Sequence, residues 1–330
     1  MASDAKMLIA AAGRQWGTIG GGCVEADVIG QALAVAERGQ PVVVSHTLNA
    51  DVAGDIGLSC GGTAEFFLEP VVNSEEMARL YQVAADAISN RQPATVTTGL
   101  DWSGGPRKAV VIESERPADI AIPATRSAGR SRGERRIEAV GDVSAFPEPA
   151  DSAARQAPVY FDEASGLLFE QLPRMPRVVV FGAGHVGVEI AKIASGVGFY
   201  VVVIDDRADF ANPEHVPWAH EVLAEDFRTV LDRLKFDADD FVLATTRGHS
   251  FDAYIVERTA GSPARYVGML GSRRKQAVIL RALETAGVPP EHLRRVKTPI
   301  GLDIGADTPA EIAISVVAEL IRARRLGDVR

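Results

Sequence analysis

The stretch 177–205, RVVVFGAGHVGVEIAKIASGVGFYVVVID, decides the fold of the C-terminal half of this chain. RVVVF is a short β-branched run of strand length. Gly182-Ala183-Gly184-His185-Val186-Gly187 follows it, and VEIAKIASGVG then has helical spacing. A second apolar run, YVVVI, ends at Asp205. GxGxxG is a weak signal alone and an informative one between a strand and a helix. Its first glycine permits the tight turn, the second lets backbone approach a pyrophosphate, and the third lets helix and strand pack closely. The helix start offers free N–H groups and partial positive charge to the anion. Asp205 stands where an acid accepts hydrogen bonds from a ribose 2′-hydroxyl. Arg207, two residues on, leaves open whether the ligand is 2′-phosphorylated. His185 either touches a ligand or only caps the turn.

Downstream, HEVL, FVLATT and YVGML are further apolar runs separated by helix-length segments. That alternation predicts a Rossmann-like, doubly wound parallel sheet over 173–330, buried on both faces. Two stretches leave the ends of its later strands, where an open α/β sheet has its crevice. The first, Thr245 to Asp252, carries Arg247, His249 and Asp252 on one loop. The second is Gly271-Ser272-Arg273-Arg274-Lys275, small residues and three cations at a helix start, which suits phosphate. Its plain alternative is solvated helix charge. Thr308-Pro309-Ala310-Glu311 has the form of a capped helix start before IAISVVAELI.

Upstream, residues 1–112 read as a mixed α/β domain. KMLIA and QWGTI predict a hairpin, and Val24, Val28, Ile29, Leu33 and Val35 predict a helix ending near Gly39. PVVVSHTL and TAEFFLEP read as strands, Ser74 opens a helix, and ATVTTGL with RKAVVI forms another hairpin. Residues 113–172 are expected to be a linker, closed by a hairpin in VYFDEASGLLFEQ.

A net charge of −9 makes the chain poorly suited to broad contact with a nucleic-acid backbone, and the basic run Arg126 to Arg136 reads as solvated linker. No stretch approaches the roughly 18 apolar residues of a membrane span, and the N-terminus lacks the pattern of a signal peptide. Two cysteines do not make a disulfide framework in a chain this long. The expectation is a cytoplasmic protein that binds neither nucleic acid nor membrane.

Both cysteines lie beside glycines: Cys23 follows Gly20-Gly21-Gly22, and Cys60 precedes Gly61-Gly62. A thiol at a helix start has a lowered pKa, and a thiolate is both nucleophile and soft ligand. The bland alternative is a small buried hydrophobe; glycine triplets are unusual in core strands and favour open sulfur. The pair lacks the spacing of a closed zinc site. Glu25 reads as a first-turn acid on the following helix.

Together GTIGGGCVEADV, LSCGG, VVVFGAGHVG, VIDDR, TTRGHSFD, YVGMLGSRRK and PIGLDIGADTPAEIAISVVAEL resemble the XdhC/CoxI family, the xanthine dehydrogenase accessory proteins. The resemblance covers nearly the whole chain outside the linker. It implies a non-catalytic chaperone that binds molybdenum cofactor, as molybdopterin or its cytosine dinucleotide, and delivers it to an apo-molybdenum hydroxylase. It also implies self-association as a homodimer and, for some members, a cysteine desulfurase partner. On that footing the Gly182–Gly187 loop and the Gly271–Lys275 cradle are expected to take phosphate, with Cys23 or Cys60 facing molybdenum across a cleft between the domains. The chain starts inside a GSxPRxxGAxM-like segment of the family, with Asp4 where glycine is usual, so the expectation is either a misassigned start or a front-shortened member. The rival reading is an NAD(P)-dependent oxidoreductase, supported by the glycine loop and Asp205, with His249 as its proton donor. A third is a nucleotide-sensing module with inert cysteines.

Overall fold

A computed structural model describes residues 5–10, 13–48, 62–112, 136–144, 146 and 158–327. These residues fall into two compact units that divide between 174 and 175.

The first unit begins with the expected hairpin, β1 (Met7–Ile9) against β2 (Gln15–Gly17). Helix α1 (Gly22–Arg38) follows and stops at Gly39, whose left-handed conformation returns its N–H to the Val35 carbonyl. Val28 and Val35, two turns apart, pack with Ile19 and Leu68, whereas Leu33 is exposed, so the apolar stripe is narrower than the sequence suggests. Strands β3 (Val42–Leu48) and β4 (Gly62–Leu68) pair antiparallel. Helix α2 (Glu75–Ser89) has Ser74 as N-cap, its hydroxyl accepting from the Met77 amide.

That helix covers a five-stranded antiparallel sheet. β5 (Ala94–Gly99) and β6 (Lys108–Ile112) form its middle, and the order is β7-β6-β5-β9-β8. Met77, Leu80, Ala84 and Ala87 of α2 pack on Val96, Val110 and Ile112. β7 (Arg136–Val140), β8 (Val159–Asp162) and β9 (Leu167–Gln171) come from the stretch expected as linker. The expected β8–β9 hairpin forms, and β9 also pairs with β5 from Thr95 to Gly99. This long-range pairing makes the hairpin part of the sheet.

The second unit is a six-stranded parallel sheet. Its strands are β10 (Arg177–Phe181), β11 (Tyr200–Asp205), β12 (Glu221–Ala224), β13 (Asp240–Ala244), β14 (Tyr266–Met269) and β15 (Val296–Lys297). The order β12-β11-β10-β13-β14-β15 is the 3-2-1-4-5-6 order of a doubly wound dinucleotide fold. Alternate residues serve opposite faces. Val178, Val180, Val201 and Val203 meet α3 (His185–Gly196) and α8 (Pro309–Leu326). Val179, Phe181, Val202 and Ile204 meet α4 (Phe227–Arg233), α5 (His249–Thr259) and α6 (Arg273–Thr285). A short helix, α7 (Pro290–Leu293), leads into β15. The Arg177 guanidinium and Asp240 carboxylate form a buried two-point ion pair at the start of β10 and β13. The capping box expected at Thr308 and Glu311 is present.

Candidate functional site

The topological switch point of the second unit lies between β10 and β13, where the chain reverses its direction across the sheet. The glycine loop leaves β10 there. Gly182 has φ 112°, and a Cβ on it would lie 2.6 Å from the Thr245 carbonyl oxygen. A Cβ on buried Gly187 would run into the Gly182 carbonyl oxygen. These two glycines are therefore demanded by the fold. Gly184 is different: its φ is −73°, and a Cβ there would meet no atom within 4 Å. It caps α3 without a side-chain hydrogen bond, and His185 is exposed beside it. Open space before a helix start is what close backbone approach to an anion requires.

Asp205 ends β11 as expected, but its carboxylate is already engaged. Oδ2 accepts from the Ala183 amide at 2.8 Å and from Arg207 Nη2 at 2.9 Å. Oδ1 accepts from the Arg207 amide at 3.1 Å and from its Nε at 2.8 Å. Burial pushes the Asp205 pKa up, but the Arg207 side chain and the two amides outweigh that and hold it below its ordinary value. The Arg207 guanidinium also lies 3.6 Å over the centre of the Phe210 ring. Neighbouring Asp206 pairs with Arg247 at 3.2 Å, joining the ends of β11 and β13. His215 places Nε2 3.1 Å from the Ala183 carbonyl oxygen. Phe210 and His215 carry no signal in the sequence because they lie in an irregular segment between β11 and β12.

The two later loops are joined by a buried carboxylate. Asp252 accepts from the Thr246 hydroxyl at 2.6 Å, from the Thr246 amide at 3.1 Å and from Lys275 Nζ at 2.6 Å. Thr245 donates its hydroxyl toward the Phe181 and Gly182 carbonyls at 3.0 and 3.1 Å, tying the β13 end to the glycine loop. Ser272 caps α6 by accepting from the Lys275 amide, and Gln276 donates to the Gly271 carbonyl. The Lys275 charge is thus paired with Asp252, while Arg273 and Arg274 stand exposed on the first turn of α6. His249 opens α5; its side chain lies outside the described residues.

In the first unit the glycine triplet is conformational. Gly20, Gly21 and Gly22 have φ of 125°, 74° and 75°, a run that L side chains rarely adopt. Glu25 ties this loop down. Its Oε2 accepts from the Thr18 hydroxyl at 2.6 Å, the Gly21 amide at 3.0 Å and the Ile19 amide at 3.1 Å. Those bonds, the Thr18 bond first, hold the Glu25 pKa below its ordinary value. Glu25 therefore serves the loop itself. Cys23 sits in the first turn of α1, with its side chain outside the described residues, and Cys60 lies outside them altogether. Among the described residues no group of three or more His, Cys, Asp or Glu side chains is arranged to hold a metal. A cleft of about 340 Å³ opens along α1 and β3, lined by Ala26, Asp27, Gly30, Gln31, Arg38 and Val44. His46 pairs there with Asp27 at 3.3 Å and meets Gln31 at 3.2 Å. The i, i+4 spacing of Asp27 and Gln31 was the available signal for it.

Two family models match the chain: the XdhC Rossmann domain over residues 178–320, and the XdhC and CoxI family over residues 4–47. The chain belongs to the XdhC/CoxI family. Among relatives of this XdhC/CoxI protein, the uncharacterized protein YqeB of Escherichia coli (strain K12) is 40% identical over 150 residues. That match spans 45% of this chain and 27% of YqeB, about a quarter of the relative's length. A probable xanthine dehydrogenase subunit of Bacillus subtilis (strain 168) is 25% identical over 325 residues, covering 98% of this chain and 88% of that one. The crystal structure of a xanthine dehydrogenase from Bacillus halodurans is similar at 27% identity and a TM-score of 0.68, covering 98% of this chain and 86% of that one. No helix among the described residues of the XdhC/CoxI protein is long and apolar enough to cross a membrane.

Proposed function

We propose that this chain is a maturation factor for a xanthine dehydrogenase-type molybdenum hydroxylase, and that it binds molybdenum cofactor and releases it to the apo-enzyme. The observation that carries this reading is family membership in both units, at residues 4–47 and 178–320. The two Bacillus relatives, both named for xanthine dehydrogenase, point to the same client class. When bound, the group would supply a dithiolene-held molybdenum with an anionic phosphate tail.

The phosphate end fits the residues of the second unit. Gly184 leaves its space open at the start of α3, and the exposed Arg273 and Arg274 add positive charge at the start of α6. Gly182 and Gly187 keep that loop in shape, since a Cβ on either would strike backbone. The first unit contributes the positive-φ glycine loop that carries Cys23, with Glu25 locking its backbone. In this reading Cys23 and Cys60 supply soft sulfur ligands. The client is an apo-molybdenum hydroxylase; a cysteine desulfurase and a second copy of this chain are further partners. The guest is molybdopterin or its cytosine dinucleotide.

The test is pterin retention in single and double Cys23→Ser and Cys60→Ser variants purified from a host that makes the cofactor. Oxidised pterin fluorescence per protein should drop in at least one single variant while the far-UV spectrum stays unchanged. Full retention in the double variant removes the thiol role.

A further inference from the structure

The end of β11 is where a doubly wound fold ordinarily holds the diol of an adenosine ribose, through an acidic side chain that accepts both hydroxyls. Here the acid is present and its acceptor positions are filled. A carboxylate offers about four lone-pair directions. Asp205 receives four hydrogen bonds, from the Ala183 amide, the Arg207 amide and two nitrogens of the Arg207 guanidinium. Its side chain is 2% exposed. Two of those four bonds join opposite charges and come from one planar fork, a bidentate ion pair that is stronger than bonds from neutral donors. The fork is held from a second direction by the Phe210 ring, 3.6 Å below it. Phe210 is in turn set edge-on to His215, which touches the Ala183 carbonyl. Arg207 is therefore braced at the glycine loop.

We propose that Arg207 determines the ligand specificity of this crevice by occupying the ribose-diol position, so that nicotinamide dinucleotides with a free adenosine diol are rejected. A diol entering there must displace the guanidinium from Asp205 and leave a positive charge without its partner. Neutral hydroxyl donors return less to the carboxylate than the cationic, bidentate donor they replace. The glycine loop remains open to an anion at Gly184, because that position does not depend on Asp205 side-chain capacity. The crevice thus keeps its phosphate-binding end and loses its adenosine-ribose end. This selectivity goes beyond the maturation role and does not rest on it.

The probe is NADH, titrated into the purified full chain and followed by fluorescence and calorimetry. Wild type should show at most weak, millimolar binding. Arg207→Ala should tighten NADH binding by about tenfold or more, the size expected when the guanidinium no longer competes for the carboxylate. Arg207→Lys keeps a charge beside Asp205 but cannot fill both oxygens, so it should show a smaller gain; it also serves if the alanine variant fails a thermal-melt check. Equal NADH affinity in wild type and a folded variant overturns the proposal. So does micromolar binding by wild type that Asp205→Asn abolishes. Pterin content, read separately, reports on the maturation role and is independent of either outcome.

Discussion

Asp205 shows how one side chain changes meaning with its neighbours. In the chain it is an acid after a strand, spaced as a ribose acceptor. In the fold it is the partner of Arg207, 2% exposed and hydrogen-bonded to the loop it was expected to serve across. Its folded pKa lies below the unfolded value, so it contributes stability above the ordinary carboxylate range. That contribution is lost as pH falls through the folded pKa. Thermal melts from pH 7 downward should show a falling midpoint beginning near pH ~4. Asp205→Asn should flatten that slope, and an unchanged slope would mean the carboxylate is not linked to folding. The glycines divide in a similar way. Gly187→Ala pushes a methyl into the Gly182 carbonyl and should cost about 1–3 kcal/mol in a denaturant titration. A Cβ at Gly184 meets no protein atom within 4 Å, so Gly184→Val should leave the domain folded while affinity for a phosphate-bearing ligand falls. Unchanged ligand affinity there would make the loop purely structural.

At the scale of elements, the ends of helices carry much of the local specification. Helix α8 begins with Thr308, Pro309 and Glu311, and each plays the part its chemistry suggests: cap, first-turn residue and reciprocal partner. Thr308→Ala should cost about 1 kcal/mol, read as a lower denaturation midpoint with unchanged slope. No shift would mean that packing of Val316, Val317 and Leu320 dominates that end. This helix and the strand–glycine–helix run at 177–196 were legible in the sequence because their signals are local. β15 was not, since a two-residue strand has no period to read. β7 was missed for a related reason: only Val140 of its five residues is buried, as suits an edge strand. The β8–β9 hairpin was legible, but its pairing with β5 depends on residues some seventy positions away. Candidate loops could likewise be found from sequence, whereas the Asp252–Lys275 and Asp206–Arg247 pairs required the sheet to bring separate strand ends together.

At the scale of the whole chain, two units each present a glycine-built turn leading into a helix, and in each the turn is fastened by a carboxylate. Glu25 does this before α1, and Asp205 does it before α3. The fastening acids are consumed by the task, and among the described residues the open helix start at Gly184 and the exposed Arg273 and Arg274 remain for an anionic guest. Those groups suit the phosphate end of the proposed guest. The most direct measurement is mass spectrometry of the small molecule released on denaturing protein purified from a molybdate-supplied host. A cofactor-holding chaperone should release a phosphorylated pterin, or its cytosine dinucleotide, with a yield that falls in the double Cys23→Ser, Cys60→Ser variant and in Gly184→Val. Release of no pterin from wild type, with a nicotinamide or adenine nucleotide in its place, would contradict that role.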